Sequence, residues 1–262
     1  MPSHNHHPYR TPAQPDRDAR WDYSQLAVDV AGARRHAERQ RGRLERHTIN
    51  RDTPIIGGVY EGSYGGEAIV VDYERNPQYI DAAVDKVLEA SRGSNGRIRK
   101  GHVLGAVYDR VAADMRYDSA AVDKLFEERL GGVDHRKVSL NAYIVGDERG
   151  GFGECRHQAL YAGAISEQLV NLGVMNGQVS VERNMVKRPD DDKYDGHSWA
   201  RYTSSSGEVC IIDVAQHQFG TLEEMMRKNR QSPNRTWDYA RPEDKKRAAG
   251  RHAVRIAGVH GD

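Results

Sequence analysis

Residues 159–165 read Ala-Leu-Tyr-Ala-Gly-Ala-Ile, apolar or small at every position. A helix carrying such a stretch has no face to offer water, so it must run through the middle of a fold with other elements wrapped around it. Ala162, Gly163 and Ala164 allow neighbours to approach closely. Immediately upstream lies Gly-Glu-Cys-Arg-His-Gln (153–158), which puts Cys155 at the first turn of this buried helix, and Gly173 ends it.

The elements on either side differ in kind. Ile-Ile-Gly-Gly-Val-Tyr and Ala-Ile-Val-Val-Asp-Tyr, within 54–74, read as a β-hairpin turning at Gly65-Gly66. Asn76-Pro77 then opens a helix with a stripe of Ile80, Val84, Val87 and Leu88. Val103, Val107 and Val111, flanked by Leu104, Tyr108 and Met115, mark a second amphipathic helix. A third, from Asp118 or Ser119, carries Val122, Leu125 and Phe126 and stops at Gly131-Gly132. After the buried helix the pattern becomes strand-like at 177–187, 197–204 and 208–214, with a Ser/Gly turn at 204–207, so an antiparallel sheet is expected. Thr221 caps a further helix through Leu222, Met225 and Met226.

The expected architecture is therefore α+β: a helical first half, then a buried helix packed on an antiparallel sheet. The division read from the chain is a polar tail at 1–20, an N-terminal extension at 21–97, a core at 98–230 and a charged segment at 231–262, expected as a surface helix from 240 onward. With 262 residues, 37% hydrophobic, the chain can build one sizeable core but hardly two full domains.

A formal net charge of +1 calls for neither nucleic acid nor a membrane as partner, and no run approaches the ~20 apolar residues of a membrane span. The reading is a cytoplasmic protein. The basic stretch of Arg34, Arg35, Arg39, Arg41, Arg43 and Arg46 reads as a solvated helical face, without the interleaved aromatics that stack on bases. Asp190, Asp191 and Asp192, within 188–196, form an acidic loop without the ligand spacing of a calcium-binding hand.

Three residues carry the chemistry. A helix N-terminus favours an anion, so a cysteine placed there is suited to act as a thiolate. His197, in Gly-His-Ser-Trp-Ala-Arg-Tyr (196–202), is the candidate base, and Asp213, in Cys-Ile-Ile-Asp-Val-Ala (210–215), is the carboxylate that would orient it. An aspartate after two isoleucines in a buried strand needs a partner, and His197 on the adjacent strand supplies one. The backbone N–H of Cys155 is one candidate oxyanion donor and Asn141 a second, the other reading of Asn141 being a turn residue. Arg156 is a candidate contact for an acidic substrate group, or an exposed first-turn arginine. Trp199 shares the His197 strand face and suits a shield for the imidazole, a cleft wall or the core.

His157 is two positions from Cys155, so the two do not share a helix face, and it is expected to bond or pack beneath the site. His217 is the fallback base. Cys210 should point away from the face that carries Asp213 and so not pair with Cys155; it reads as a small buried hydrophobe.

Cys-Arg-His-Gln-Ala-Leu, His-Ser-Trp-Ala-Arg-Tyr and Ile-Ile-Asp-Val-Ala together resemble the transglutaminase-like branch of the papain-like thiol enzymes. A similar Cys-Arg-His, His-Ala-Trp and Asp pattern occurs in a domain of plant ethylene-responsive-type kinases, and Val-Tyr-Asp-Arg-Val…Met-Arg-Tyr-Asp (107–118) resembles the helix leading into such a core. The resemblance spans about residues 98–225. It implies a papain-like fold, a Cys155–His197–Asp213 triad acting on a protein or peptide amide through an acyl-thioester, and no cofactor. Two other classes remain open. One is a metal site drawn from Cys155, His157, His197, Cys210 and His217, although the paired spacings of known metal motifs are missing. The other is a non-catalytic protein-interaction module that keeps the fold, with basic segments at 34–51 and 241–255 as its contact surface.

Overall fold

The computed structural model describes residues 47–61, 67–73, 77–130, 137–187, 194–231 and 238–247. The expected polar tail, most of the basic N-terminal helix, the Gly65-Gly66 turn, the centre of the acidic loop and the chain beyond 247 lie outside the described residues.

The fold is α+β. Strands β1 (Val59–Glu61) and β2 (Ala68–Val70) form the expected antiparallel hairpin, and β2 also pairs in parallel with β4 (Lys137–Ser139). Helices α1 (Pro77–Ala90), α2 (Lys100–Asp114) and α3 (Ser119–Leu130) follow the periodicity of their apolar residues. Pro77 opens α1, where its missing N–H costs nothing.

The helix expected to run through Met115 stops one residue earlier. Met115 instead begins β3 (Met115–Tyr117), which pairs in parallel with β5 (Gly151–Gly153). Between β4 and β5 runs a short helix, α4 (Leu140–Val145). None of these three-residue strands is long enough to display alternation, so their pairing is set by tertiary contact.

At the centre is α5 (Cys155–Asn171), buried around its circumference from His157 to Ser166. A Cβ at Gly163 would lie 2.7 Å from Ile55 Cδ1 and 3.1 Å from Val181 Cγ2, so the small residue lets two side chains close on the helix axis. The polar groups that α5 takes inside find partners, Gln158 Oε1 and Ser166 Oγ apart: Gln158 Nε2 donates to the Met115 carbonyl (2.8 Å), Tyr161 Oη to Asp114 (2.8 Å) and Gln168 Nε2 to Tyr73 Oη (2.7 Å). Glu167 near its far end accepts from the backbone N–H groups of Ile55 (3.0 Å) and Ile56 (2.6 Å), which ties the first described segment to the helix.

Helices α1 and α2 pack on one side of α5, and an antiparallel sheet covers the other. Its order is β6 (Gly177–Lys187), β7 (Tyr194–Ser204), β8 (Val209–Asp213) and β9 (Gln218–Thr221), the last strand adding to the three expected. Thr221 and Glu224 then bond each other's backbone N–H (3.2 and 2.9 Å), starting α6 (Leu222–Gln231) with the cap anticipated at Thr221.

One apolar core runs from Ile49 through α1, α2 and α5 to Val214, with no break at residue 97. The described residues 238–247 are drawn inward. Tyr239 and Asp244 are buried, and Asp244 accepts a two-pronged bond from the buried guanidinium of Arg201 (2.8 and 3.0 Å). Charged composition suggested a surface helix here, but its inward side carries partners for buried sheet residues.

Candidate active site

Cys155 is placed by backbone on both sides. Strand β5 delivers the chain to the start of α5, and β3 fixes β5 in register, with Tyr117 opposite Gly153. A Cβ at Gly153 would sit 2.6 Å from His157 Cβ and 2.7 Å from Met115 Sδ, so only glycine lets the strand turn into the helix this closely. The half-buried Cys155 follows, close enough to the exposed Tyr117 to interact with it electrostatically.

His197 and Asp213 stand where two strands part. The β7–β8 ladder ends at Ala200 paired with Ile212, so the stretch of β7 containing His197 continues past β8. His197 Nε2 lies 2.6 Å from Asp213 Oδ2, both side chains buried. The other ring nitrogen, Nδ1, is left for the Cys155 thiol, with which His197 also bonds. Burial alone would depress the imidazole pKa; the bonds to Asp213 and Cys155 outweigh it and raise the value to about 9.

Asp213 is held on every side. Its Oδ2 accepts from Tyr239 Oη (2.8 Å) as well as from His197, and its Oδ1 accepts from the Gln216 backbone N–H (3.1 Å). Tyr239 was not a sequence candidate; it sits 26 residues after Asp213 in a charged stretch with no local pattern to mark it. Trp199 joins the group. Its ring lies 5.8 Å from that of His197 and meets Tyr239 edge to face at 5.0 Å, within a small cluster that includes Ile211 and Met225. The alternating face read from sequence for His197 and Trp199 is thus the one covered by the C-terminal segment. Ser198, pointing the other way, bonds Tyr60 (2.9 Å).

A second buried histidine and carboxylate lie beside the start of α5, two residues on from Cys155. His157 Nε2 is 2.8 Å from Glu67 Oε1, and His157 Nδ1 accepts the backbone N–H of Glu154 (3.0 Å). An acceptor at Nδ1 leaves the proton on Nε2, so this ring is neutral and donates to Glu67. Burial lowers the His157 pKa further. The Glu67 carboxylate, which burial would push up, is brought down to about 2 by the His157 bond and the Arg156 charge. Glu67 precedes β2 and carries no sequence signal of its role.

The remaining candidates are placed elsewhere. Arg156 is committed to Glu67 (3.1 Å) and to Glu154, so it is neither an exposed first-turn arginine nor a free contact for substrate. Asn141 is buried on α4, where its Nδ2 donates to the Asp72 carbonyl (3.4 Å). His217 occupies a left-handed turn position between β8 and β9 (φ 52°), its N–H bonded to the Val214 carbonyl. Cys155 and Cys210 are free thiols; burial pushes the Cys210 thiol up to about 12. Among the described residues no group of three His, Cys, Asp or Glu side chains is arranged to hold a metal ion, and no helix is long and apolar enough to cross a membrane.

Neither a family model nor a curated protein matches this chain.

Proposed function

We propose that this protein is a thiol-dependent amide-bond enzyme with a transglutaminase-like, papain-type core. The observation that carries the proposal is the buried His197–Asp213 pair, whose second imidazole nitrogen is turned to a cysteine at the N-terminus of the central helix. In the reaction, Cys155 Sγ attacks the carbonyl of a carboxamide or peptide, and the oxyanion that forms accepts hydrogen bonds from the first turn of α5. The His197 imidazolium gives its Nδ1 proton to the departing amine and becomes neutral imidazole. It then removes a proton from the water or amine that cleaves the thioester, and the thiolate–imidazolium pair is restored. Asp213 keeps the proton on Nε2 throughout and offsets the charge on the ring.

The acyl group is carried on Cys155 whether water or an amine accepts it, so hydrolysis and transfer share every step up to the thioester. The half-open surroundings of Cys155 beside Tyr117 favour a side chain or loop of a protein or peptide as substrate.

The test is the pH dependence of Cys155 alkylation by iodoacetamide in a Cys210→Ala background, with and without His197→Ala. A rate that stays high down to pH 6 and is lost in the histidine variant supports the pair. Ordinary thiol behaviour in both proteins would remove the catalytic reading and leave an interaction module.

A further inference from the structure

Behind the triad, on the side of Trp199 and Tyr239 away from the core of α5, the C-terminal segment and the edge strand β6 enclose a cleft of about 240 Å³. Four of its lining residues are cations, Arg51, Arg183, Arg241 and Lys245, against two carboxylates, Glu182 and Asp238. Both carboxylates are taken, and Arg241 is further paired with Asp52 (2.8 Å) and lies 4.0 Å from Glu243. Buried Glu182 is bonded by Arg51 (3.0 Å), Arg241 and Ser180 (2.8 Å), and Asp238 by Lys245. Arg183 has no carboxylate partner among the described residues; it donates to the Glu61 carbonyl (3.2 Å) and lies 6.0 Å from the Tyr60 ring.

Hydrogen-bond donors are also in surplus. Trp199 is 3% exposed, and its indole N–H has no acceptor; the Nε–H of Arg241 is likewise buried without one. Leaving a buried donor unsatisfied costs on the order of 1–3 kcal/mol, so a wall with two such groups is built for an acceptor that arrives from outside. Among the described residues Arg183 is the one lining cation without a carboxylate partner, and an anionic acceptor would match its charge where a neutral carbonyl would not.

We infer that this cleft is a binding site for a compact oxyanion, a carboxylate or phosphate group of a small ligand, held by the Trp199 indole N–H and the guanidinium groups of Arg183 and Arg241. The site adjoins the triad without containing Cys155. It stands on its own donors and charges, so it does not depend on the thiol chemistry.

The test uses the full chain labelled with ¹⁵N. The Trp199 indole resonance is assigned by its loss in Trp199→Phe and followed while inorganic phosphate, or separately sodium acetate, is added at constant ionic strength set with sodium chloride. A saturable shift with either anion and none with chloride is the expected result. A response to phosphate alone assigns a phosphate group and a response to acetate alone a carboxylate. Arg183→Gln, at an exposed position, should weaken binding on the order of tenfold while the rest of the spectrum is kept. A resonance unmoved by both oxyanions, moved equally by chloride, or titrating unchanged in Arg183→Gln would overturn the site. Cys155 alkylation in the same samples reads the triad separately, so loss of one reading leaves the other standing.

Discussion

The protein buries two histidine–carboxylate pairs within a few residues of one another in the fold, and they do opposite things. His157 with Glu67 and His197 with Asp213 have similar lengths, 2.8 and 2.6 Å, and nearly complete burial. Contact with a carboxylate therefore does not decide the state of the ring. The other nitrogen does. At His157 it accepts a backbone N–H, which admits no second proton; at His197 it faces a thiol that can give one up. The first pair is a neutral brace under the start of α5, and the second is poised to carry charge.

Exchange of each ring for a methyl group separates these roles most sharply. His197→Ala should lower iodoacetamide alkylation of Cys155 at pH 6 by about a hundredfold, since only about 0.3% of an ordinary thiol with a pKa near 8.5 is ionised there. Turnover of any amide substrate should fall by roughly a thousandfold, within the range for loss of a general acid–base group. His157→Ala should leave the shape of the alkylation pH profile intact. A loss of low-pH reactivity in the His157 variant as large as in the His197 variant would erase the distinction.

Stability should respond in the reverse sense at His157. Its removal strips Glu67 of a donor and leaves the Glu154 N–H without its acceptor, but Arg156 still pairs with Glu67. A cost of about 2 kcal/mol is expected, below that of a fully unpaired buried charge. Urea unfolding of the variant at pH 7 measures it.

How much of this could be read from the chain follows from where each partner sits. Cys155 announces itself because a glycine-led turn precedes an all-apolar helix, and His197 and Asp213 lie on strands joined by a short turn, so alternation places them side by side. Glu67 and Tyr239 reach the same region from 90 residues before His157 and 26 residues after Asp213. No periodicity links them to their partners, and Tyr239 lies in a charged stretch whose composition suggested a surface. The parallel pairings of β3 with β5 and β2 with β4 were hidden for a related reason: three residues show no period, and their ladders join distant segments.

The two pairs also tilt stability from opposite ends of the pH scale. Glu67 has a folded pKa of about 2, below its ordinary 4.5, so its contribution is present above 4.5 and is lost as pH falls toward 2. His157, lowered by burial, acts in the same direction, because the unfolded chain takes up its proton first below about 6.5. His197 is raised to about 9, so its contribution is whole below 6.5 and is lost as pH rises through 9. Chemical unfolding across pH 3–10 should show the acid-side loss reduced in Glu67→Gln and the alkaline-side loss reduced in His197→Ala, each on the order of 1–2 kcal/mol. The same acid slope in Glu67→Gln as in wild type would remove Glu67 from this account.

The smallest effect expected is also the one that tests the third donor of Asp213. Tyr239→Phe keeps the edge-to-face packing on Trp199 and deletes only the hydroxyl that donates to Asp213 Oδ2. His197 and the Gln216 N–H remain, so the carboxylate is not abandoned, and stability should drop by about 1 kcal/mol, the size of one hydrogen bond to a charged group that keeps other partners. With one competing donor gone, Oδ2 concentrates its charge on the imidazolium. The His197 titration, followed by its ring proton resonances, should therefore move upward while Cys155 alkylation at pH 6 holds within about threefold. A downward shift would mean that the tyrosine sets the position of the carboxylate more than it draws on its charge, and a loss of alkylation as deep as in His197→Ala would make Tyr239 a necessary positioning residue.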